Sequence, residues 1–109
     1  MNSKDREILE EIKRKIPPQV KSHLRKFIAY GSRARGDYQE DSDLDVAALV
    51  DEKTREIDDK IDDVVYDVMA DHDFKPVISL RVFSEASFQE FLKMGYSFYE
   101  NVEQEGILI

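Results

Sequence analysis

Four residues at the two ends of one polar stretch have the types and the spacing for phosphate and metal chemistry. Gly31 and Ser32 follow an apolar run, and Asp43 and Asp45 come just before another. A glycine lets a phosphate approach the backbone, and a serine hydroxyl adds a hydrogen-bond donor. Two aspartates separated by one residue on a strand share a face and lie roughly 6.5 to 7 Å apart along the chain. The stretch therefore predicts an anion site facing a cation site.

The paired aspartates favour a hard divalent cation. Neighbouring carboxylates repel each other and raise each other's pKa, and a divalent cation removes that penalty. Oxygen ligands suit Mg²⁺, and two Mg²⁺ ions roughly 3.5 to 4 Å apart form a clamp for in-line phosphoryl displacement. The structural alternative for Asp43 and Asp45 is a polar strand edge, where charges discourage aggregation.

Two arginines follow the glycine-serine pair in the segment "RARG", which is predicted to form a short helix. Arg33 and Arg35 bring positive charge to this part of an acidic chain, and both are candidate phosphate contacts. They could equally be solvated charges on the surface of the short helix.

The elements that must position these residues alternate along the chain. Apolar spacing predicts the order helix, strand, short helix, strand, helix, strand, helix, helix. The predicted strands cover residues 26–30, 43–50 and 76–83, and the longer helices cover residues 3–16, 51–72, 85–94 and 97–105. Ser3, Asp51 and Ser84 are the predicted N-caps of the first three longer helices. We expect an α/β or α+β fold in which helices pack against a small mixed β-sheet.

Composition limits the class of protein. The chain has 109 residues, 41% of them hydrophobic and 37% charged, and we expect one domain over residues 1–109. Cysteine is absent, which excludes disulfides and thiolate metal sites. The net charge of −8 disfavours nucleic acid as a partner. The longest apolar run, residues 46–50, is far shorter than the roughly twenty residues of a membrane helix, so we expect a cytoplasmic protein.

The stretch from residue 31 to residue 45 resembles the G-S-x(10)-D-x-D signature of the DNA polymerase β superfamily of nucleotidyltransferases, in its minimal single-domain form. Gly31 and Ser32 match the pair, residues 33–42 supply the ten spacers, and Asp43 and Asp45 match the acidic positions. The resemblance implies transfer of a nucleoside monophosphate from an NTP, with ATP expected, to an acceptor, with release of pyrophosphate. Gly31 and Ser32 would hold the β and γ phosphates, and Asp43 and Asp45 would bind two Mg²⁺ ions.

The sequence departs from this family at one position. The family usually supplies a third carboxylate from the next strand, where the alternation here places Ser79 or Arg81. Asp73 precedes that strand and Glu85 follows it, each too far along the chain to substitute. Three interpretations stay open: an enzyme whose base comes from water, substrate or another chain; a binder of metal-nucleotide with little turnover; or a pseudoenzyme.

The acceptor and the partner follow only from the resemblance. A domain of this size has room for the catalytic half, so acceptor recognition would come from a partner chain or a homo-oligomer interface, with the aromatic segment 88–109 as the candidate contact. The rival interpretation is an antitoxin or regulatory module paired with a helical partner of the HEPN type. The two lone histidines, His23 and His72, are expected to have surface roles.

Overall fold

The computed structural model describes residues 1–109 and contains one mixed sheet covered by helices. The strands are Leu24–Tyr30 (β1), Leu44–Val50 (β2), Ile78–Ser84 (β3) and Ile107–Leu108 (β4). The helices are Ser3–Lys15 (α1), Pro18–Lys21 (α2), Gly31–Arg35 (α3), Arg55–Asp71 (α4), Glu85–Lys93 (α5) and Ser97–Glu105 (α6). The predicted fold, a small mixed sheet with helices packed against it, is confirmed.

The order of strands across the sheet is β3-β2-β1-β4. β1 and β2 pair antiparallel, whereas β2 and β3 pair parallel and are connected through α4. In this register Asp45 lies between Tyr30 on β1 and Ser79 on β3. The central strand therefore carries the acidic pair, and both neighbouring strands contribute side chains beside it.

The two faces of the sheet have different coverings. One face packs against α1 and α4 and forms the larger core, whose largest fully buried members include Ile8, Leu9, Ile12, Phe27, Leu44, Val46, Val50, Ile61 and Val68. The other face packs against α5 and α6 in a smaller cluster of Ile28, Ala47, Leu49, Phe88 and Val102. Because side chains alternate along β2, Asp45 lies on this second face, just beyond the end of the smaller cluster.

One predicted helix cap is wrong by a single residue. α1 is capped by Asn2, whose side-chain oxygen accepts the backbone N–H of Asp5 at 2.7 Å, and Ser3 is already helical. Asn and Ser are equally good caps, so adjacent candidates cannot be separated by residue type. The predicted cap of α5 is confirmed, since the hydroxyl of Ser84 accepts the N–H of Ser87 at 3.1 Å.

The predicted start of α4 is also wrong. Thr54 is the cap, with its hydroxyl accepting the N–H of Ile57 at 3.2 Å. Asp51 instead binds two residues that begin or precede β1: the Nδ1 atom of His23 lies 2.9 Å from one carboxylate oxygen, and Arg25 donates to the other at 3.1 Å. These partners hold Asp51 outside the helix, which begins four residues later.

The apolar tail after Gly106 forms a strand that the sequence did not predict. β4 pairs antiparallel with β1 through Ile28 and Ala29, and the N–H of Ile109 donates to the carbonyl of Phe27 at 2.9 Å. β1 therefore has a strand on both sides and is buried along its second half. None of the helices is long and apolar enough to cross a membrane.

Candidate active site

Gly31 brings the two ends of the polar stretch into contact. It begins α3 directly after β1 with φ of +78°, a conformation that residues with a Cβ rarely adopt. A Cβ built on Gly31 would lie 2.5 Å from Oδ2 of Asp45. Both the backbone angle and the space therefore require glycine, and the backbone of the predicted phosphate end lies directly beside a carboxylate of the predicted metal end.

The two aspartates differ in their surroundings. Asp45 is half-buried on β2, and Asp43 is exposed one residue before the strand begins. Burial, and secondarily the charge of Asp43, raise the pKa of Asp45. The site therefore holds its inner carboxylate at an energetic cost that a nearby cation would remove.

This pair suits Mg²⁺ with incomplete protein coordination. No group of three acidic, histidine or cysteine side chains is close enough to hold a metal ion by itself. Mg²⁺ is commonly bound through one or two carboxylates, with water and substrate phosphates as the remaining ligands. The two carboxylates of Asp43 and Asp45 fit that mode of binding. Beside Asp45 lies the backbone of Gly31, which has no side chain.

Ser32 and Arg35 are placed differently relative to this pair. Ser32 is half-buried in the first turn of α3, and its hydroxyl makes no hydrogen bond within the chain. Arg35 is directed towards α6, where it donates to Glu105 at 2.9 Å and also to Asp37 at 3.2 Å. The hydrogen bond to Glu105, followed by the one to Asp37, raises the pKa of Arg35. The structure thus leaves the Ser32 hydroxyl available and engages Arg35 elsewhere.

Arg33 is neither a solvated charge on the helix surface nor free to contact a phosphate, the two roles considered from the sequence. Its side chain is only 8% exposed, and its Nε donates to Oδ2 of Asp5 at 2.8 Å. Its Nη2 also donates to Asp5, at 3.3 Å, and its Nη1 donates to two carbonyls of the loop that leads to Asp43. The guanidinium is therefore buried behind α3 and paired with a carboxylate of α1.

The face that carries Asp45 has two further polar side chains and one cation. Tyr30 and Ser79 flank Asp45 in register, and Arg81 follows on β3 beside Ala47. The pKa of Tyr30 is raised by burial and by Asp45, with Arg81 acting in the opposite direction. Ser79 thus stands beside Asp45 at the place where the resemblance calls for an acid.

Arg81 lies on the aromatic cluster of this face and makes no ion pair within 4.0 Å. The cluster is formed by Phe83, Phe88, Phe98 and Tyr99. Its Cζ atom is 4.9 Å from the ring centroid of Phe83 and 5.0 Å from that of Phe98. Stacking of this kind holds a guanidinium in place while its N–H groups stay free to donate. An exposed, oriented cation is therefore available on the β3 side of Asp45.

Two residues near the site, Tyr30 and Asp5, were not identified as candidates from the sequence. Tyr30 ends an apolar strand and looks like core until the register places it opposite Asp45. Asp5 gave a usable signal, because it falls on the apolar stripe of α1 with Ile8, Leu9 and Ile12, where an unpaired charge would be costly.

A surface groove on the side of Asp5 and Arg33 does not open on the four motif residues. It has a volume of about 730 Å³ and is lined by twelve residues, among them Asp5, Arg33, Ser42, Phe74 and Val77. None of Gly31, Ser32, Asp43 or Asp45 lines it. We place the candidate site on the chemistry of the four motif residues rather than on the size of this groove.

Comparison with known proteins gives a consistent family. The profile of the nucleotidyltransferase domain matches residues 5–106. Two chains of Methanocaldococcus jannaschii, each named "putative protein adenylyltransferase", are similar to this one. The first is 50% identical over 46 residues, which cover 42% of this chain and 46% of that relative. The second is 31% identical over 104 residues, covering 90% of each chain.

One solved structure is also similar. It is described as a putative nucleotidyltransferase from Sulfolobus solfataricus, and the likeness covers 99% of this chain and 87% of that one with 20% identity. The TM-score is 0.43, a level of likeness that says nothing about the site residues.

Proposed function

The chain belongs to the nucleotidyltransferase domain family, and on that premise we propose that it transfers the nucleoside monophosphate of an NTP, with ATP as the expected donor, to an acceptor. Pyrophosphate is the leaving group. The observation that carries the proposal is the contact between Gly31 and Asp45, where a Cβ would lie 2.5 Å from the carboxylate. With no Cβ at Gly31, the carboxylate of Asp45 lies directly against the backbone of the proposed phosphate end, which is the proximity that a shared metal-nucleotide site needs.

Each motif residue has a distinct task in this proposal. The backbone of Gly31 and the hydroxyl of Ser32 bind the β and γ phosphates, because both residues follow directly after β1 beside Asp45 and the hydroxyl makes no hydrogen bond within the chain. Asp43 and Asp45 bind Mg²⁺, which neutralises charge on the phosphates when bound. The raised pKa of Asp45 makes the cation more favourable there, since the ion relieves the cost of the buried carboxylate.

In this proposal the two reactants approach from different sides of Asp45. In an in-line displacement the nucleophile and the leaving group lie on opposite sides of the α phosphorus. β1 lies on one side of β2, and the residues proposed for pyrophosphate follow directly after its last residue, at the start of α3. The acceptor would then approach from the β3 side, past Ser79 and Arg81. No carboxylate stands there, so the proton of the acceptor passes to water, to the substrate or to another chain.

We propose a protein as the acceptor, because the two curated relatives carry the name of protein adenylyltransferases. Arg81 is the cation on the β3 side of Asp45, from which such an acceptor would approach. The aromatic cluster beneath Arg81 fixes the position of its guanidinium and so favours an oriented contact over a diffuse one.

A second candidate function is an interaction module that binds metal-nucleotide and a protein partner with little turnover. The supporting observation is an exposed apolar patch on α5 and the turn to α6, formed by Phe91, Met94 and Tyr96. A helical partner of the HEPN type, or a second copy of the chain, would cover this patch. The absence of a third carboxylate near Asp45 is consistent with weak catalysis.

Binding and transfer are tested separately. Calorimetric titration of Mg²⁺ with a non-hydrolysable ATP analogue should give saturable binding for the wild type and none for Asp43→Asn combined with Asp45→Asn. Glu40→Gln combined with Asp41→Asn is the matched control, because it also removes two negative charges, from exposed residues of the same loop. Equal binding by all three proteins would refute the metal site.

Transfer is measured with ATP labelled at the α phosphate, in the presence of candidate acceptor proteins. Covalent label that depends on Asp45 supports the enzyme, and metal-nucleotide binding without label supports the interaction module. Ser79→Asp supplies the missing acid beside Asp45. A gain of turnover in that variant would show that the third carboxylate limits the reaction.

A further inference from the structure

We propose that Arg33 and Asp5 form a positioning pair that fixes Asp43 relative to Ser32. The inference rests on the proposed function, because it concerns how one metal ligand of that site is held in place. Nothing in the signature motif requires either residue to touch a nucleotide. Their contribution is argued from burial and from the hydrogen bonds that one guanidinium makes.

The segment between α3 and β2 needs an external support. Residues 37–43 form neither helix nor strand, and Asp43 is the last of them before β2 begins. A loop of this kind samples many conformations unless side chains tie it down, and a metal ligand at its end moves with it. The position of Asp43 therefore depends on whatever holds the loop.

Arg33 is the residue that holds this loop. Its Nη1 donates to the carbonyl oxygens of Glu40 at 3.3 Å and of Ser42 at 3.1 Å. Its Cζ lies 4.3 Å from the ring centroid of Tyr38, whose hydroxyl accepts a hydrogen bond from Asn2 at 2.7 Å. One planar group thus contacts the loop at three points, the last of them directly before Asp43.

Asp5 fixes the guanidinium itself. Its two carboxylate oxygens accept from Nε at 2.8 Å and from Nη2 at 3.3 Å, an arrangement that sets the orientation of the Arg33 plane as well as its distance. The Asp5 side chain is 1% exposed and belongs to the buried stripe of α1. This ion pair, together with the hydrogen bond from Asn2 to Tyr38, connects α1 to the loop.

Arg33 is adjacent in sequence to a proposed phosphate ligand, and this links the ion pair to the site. Ser32, the proposed phosphate ligand, is the residue directly before Arg33 in α3. The backbone that presents the phosphate ligand therefore also carries the side chain that holds the metal ligand. The distance between Ser32 and Asp43 is set by one arginine, and not by the loop alone.

The principal test is Arg33→Lys, which keeps the charge beside Asp5 but cannot fork to the loop carbonyls. Mg²⁺ is titrated by calorimetry in the presence of the ATP analogue. We expect the half-saturating Mg²⁺ concentration to rise about tenfold or more, the usual effect of losing a residue that orients a metal ligand. A merely structural role would lower the unfolding temperature and leave the Mg²⁺ midpoint of the folded protein unchanged.

Two more variants keep the test decisive if Arg33→Lys does not fold. Tyr38→Leu removes one loop contact from a half-buried position and leaves the ion pair intact, so we expect a smaller rise of the Mg²⁺ midpoint. The exchange of Asp5→Arg with Arg33→Asp restores the charge pair but moves the guanidinium to α1. We expect it to recover part of the lost thermal stability and none of the lost Mg²⁺ affinity.

The outcomes separate this inference from the proposed function. Asp45→Asn serves as the reference for loss of metal binding. If Asp45→Asn abolishes Mg²⁺ binding while Tyr38→Leu and every folded Arg33 variant bind as the wild type does, the positioning pair is refuted and the proposed function stands. If Asp45→Asn also binds normally, the proposed function fails and the positioning pair fails with it.

Discussion

Gly31→Ala tests the geometry of the site through a single methyl group. The methyl would meet Oδ2 of Asp45 at 2.5 Å, and the carboxylate must retreat by about 0.9 Å to reach ordinary contact at 3.4 Å. A carboxylate is the free end of a side chain and can turn, so the steric cost to the fold is small. The atom that turns, however, is a proposed metal ligand.

The structure supplies a matched control in Gly95. Its φ is +81°, close to the +78° of Gly31, and a Cβ there would meet nothing within 4 Å. Alanine in a left-handed conformation costs about 1–2 kcal/mol, so both variants should lose that much free energy of unfolding. Only Gly31→Ala should lose function, because a misplacement of about 1 Å can reduce turnover about 100-fold.

Urea denaturation measures the free energy of unfolding, and label transfer from ATP measures turnover. The expected result is two variants of equal stability, of which Gly95→Ala retains wild-type turnover. The reasoning is refuted if Gly31→Ala remains fully active, since the close contact with Asp45 would then have no bearing on the site. It is equally refuted if Gly95→Ala loses activity to the same degree, because backbone strain alone would explain the loss.

Three further predictions concern charge, core and capping. In the absence of metal at pH 7, Asp45→Asn should unfold at a higher temperature than the wild type, because burial and the neighbouring aspartate raise the pKa of this carboxyl and disfavour its charged form in the folded state. Thermal scans should show that difference disappearing below about pH 3.9, where the carboxyl is protonated in both states, and a difference that persists there would contradict the assignment. Phe88→Ala should lower the free energy of unfolding, measured in urea, by about 3–5 kcal/mol, because the residue is 1% exposed. Phe91→Ala should lower it far less, because Phe91 is 36% exposed. Equal losses in the two variants would contradict the packing. Asn2→Ala should cost about 1 kcal/mol by the same measurement and Ser3→Ala almost nothing, and the reverse order would restore the cap predicted from the sequence.

The elements of the fold could be predicted where local signals agree. A compact apolar run identified β1, alternation identified β2 and β3, and the hydroxyl of Ser84 was correctly placed at the start of α5. The ends of the strands were less predictable, because they depend on the partner strand: β1 begins at Leu24, two residues early, where it pairs with Val50. The same holds for β4, a pair of residues that becomes a strand only by lying against β1.

The helix caps show how tertiary contacts decide between equal candidates. Residues 51–54 offer more than one polar side chain that could begin α4. Asp51 is the stronger cap by residue type, but its carboxylate is taken by His23 and Arg25, which are distant in sequence. Thr54 therefore caps the helix. Nothing within the local sequence contains that information.

The motif residues could be found from spacing, but their surroundings could not. A period of two predicts that Asp43 and Asp45 share a face, and the structure begins β2 one residue after Asp43. The neighbours of Asp45 follow from the order of strands, which places Tyr30 on one side and Ser79 on the other. The role of Arg33 depends on Asp5, a residue of α1, and only the packing of that helix brings the two together.

The hydrogen bonds of Arg33 also bear on why ten residues separate Ser32 from Asp43. Loop length itself is a weak constraint, since doubling a flexible loop costs only about 0.6 kcal/mol. An inserted residue after Gly36 would nevertheless carry the carbonyls of Glu40 and Ser42 past the guanidinium that binds them. The number of residues between Ser32 and Asp43 is therefore limited by how far the side chain of Arg33 reaches. An insertion in this loop should therefore leave the protein folded but weaken its binding of metal.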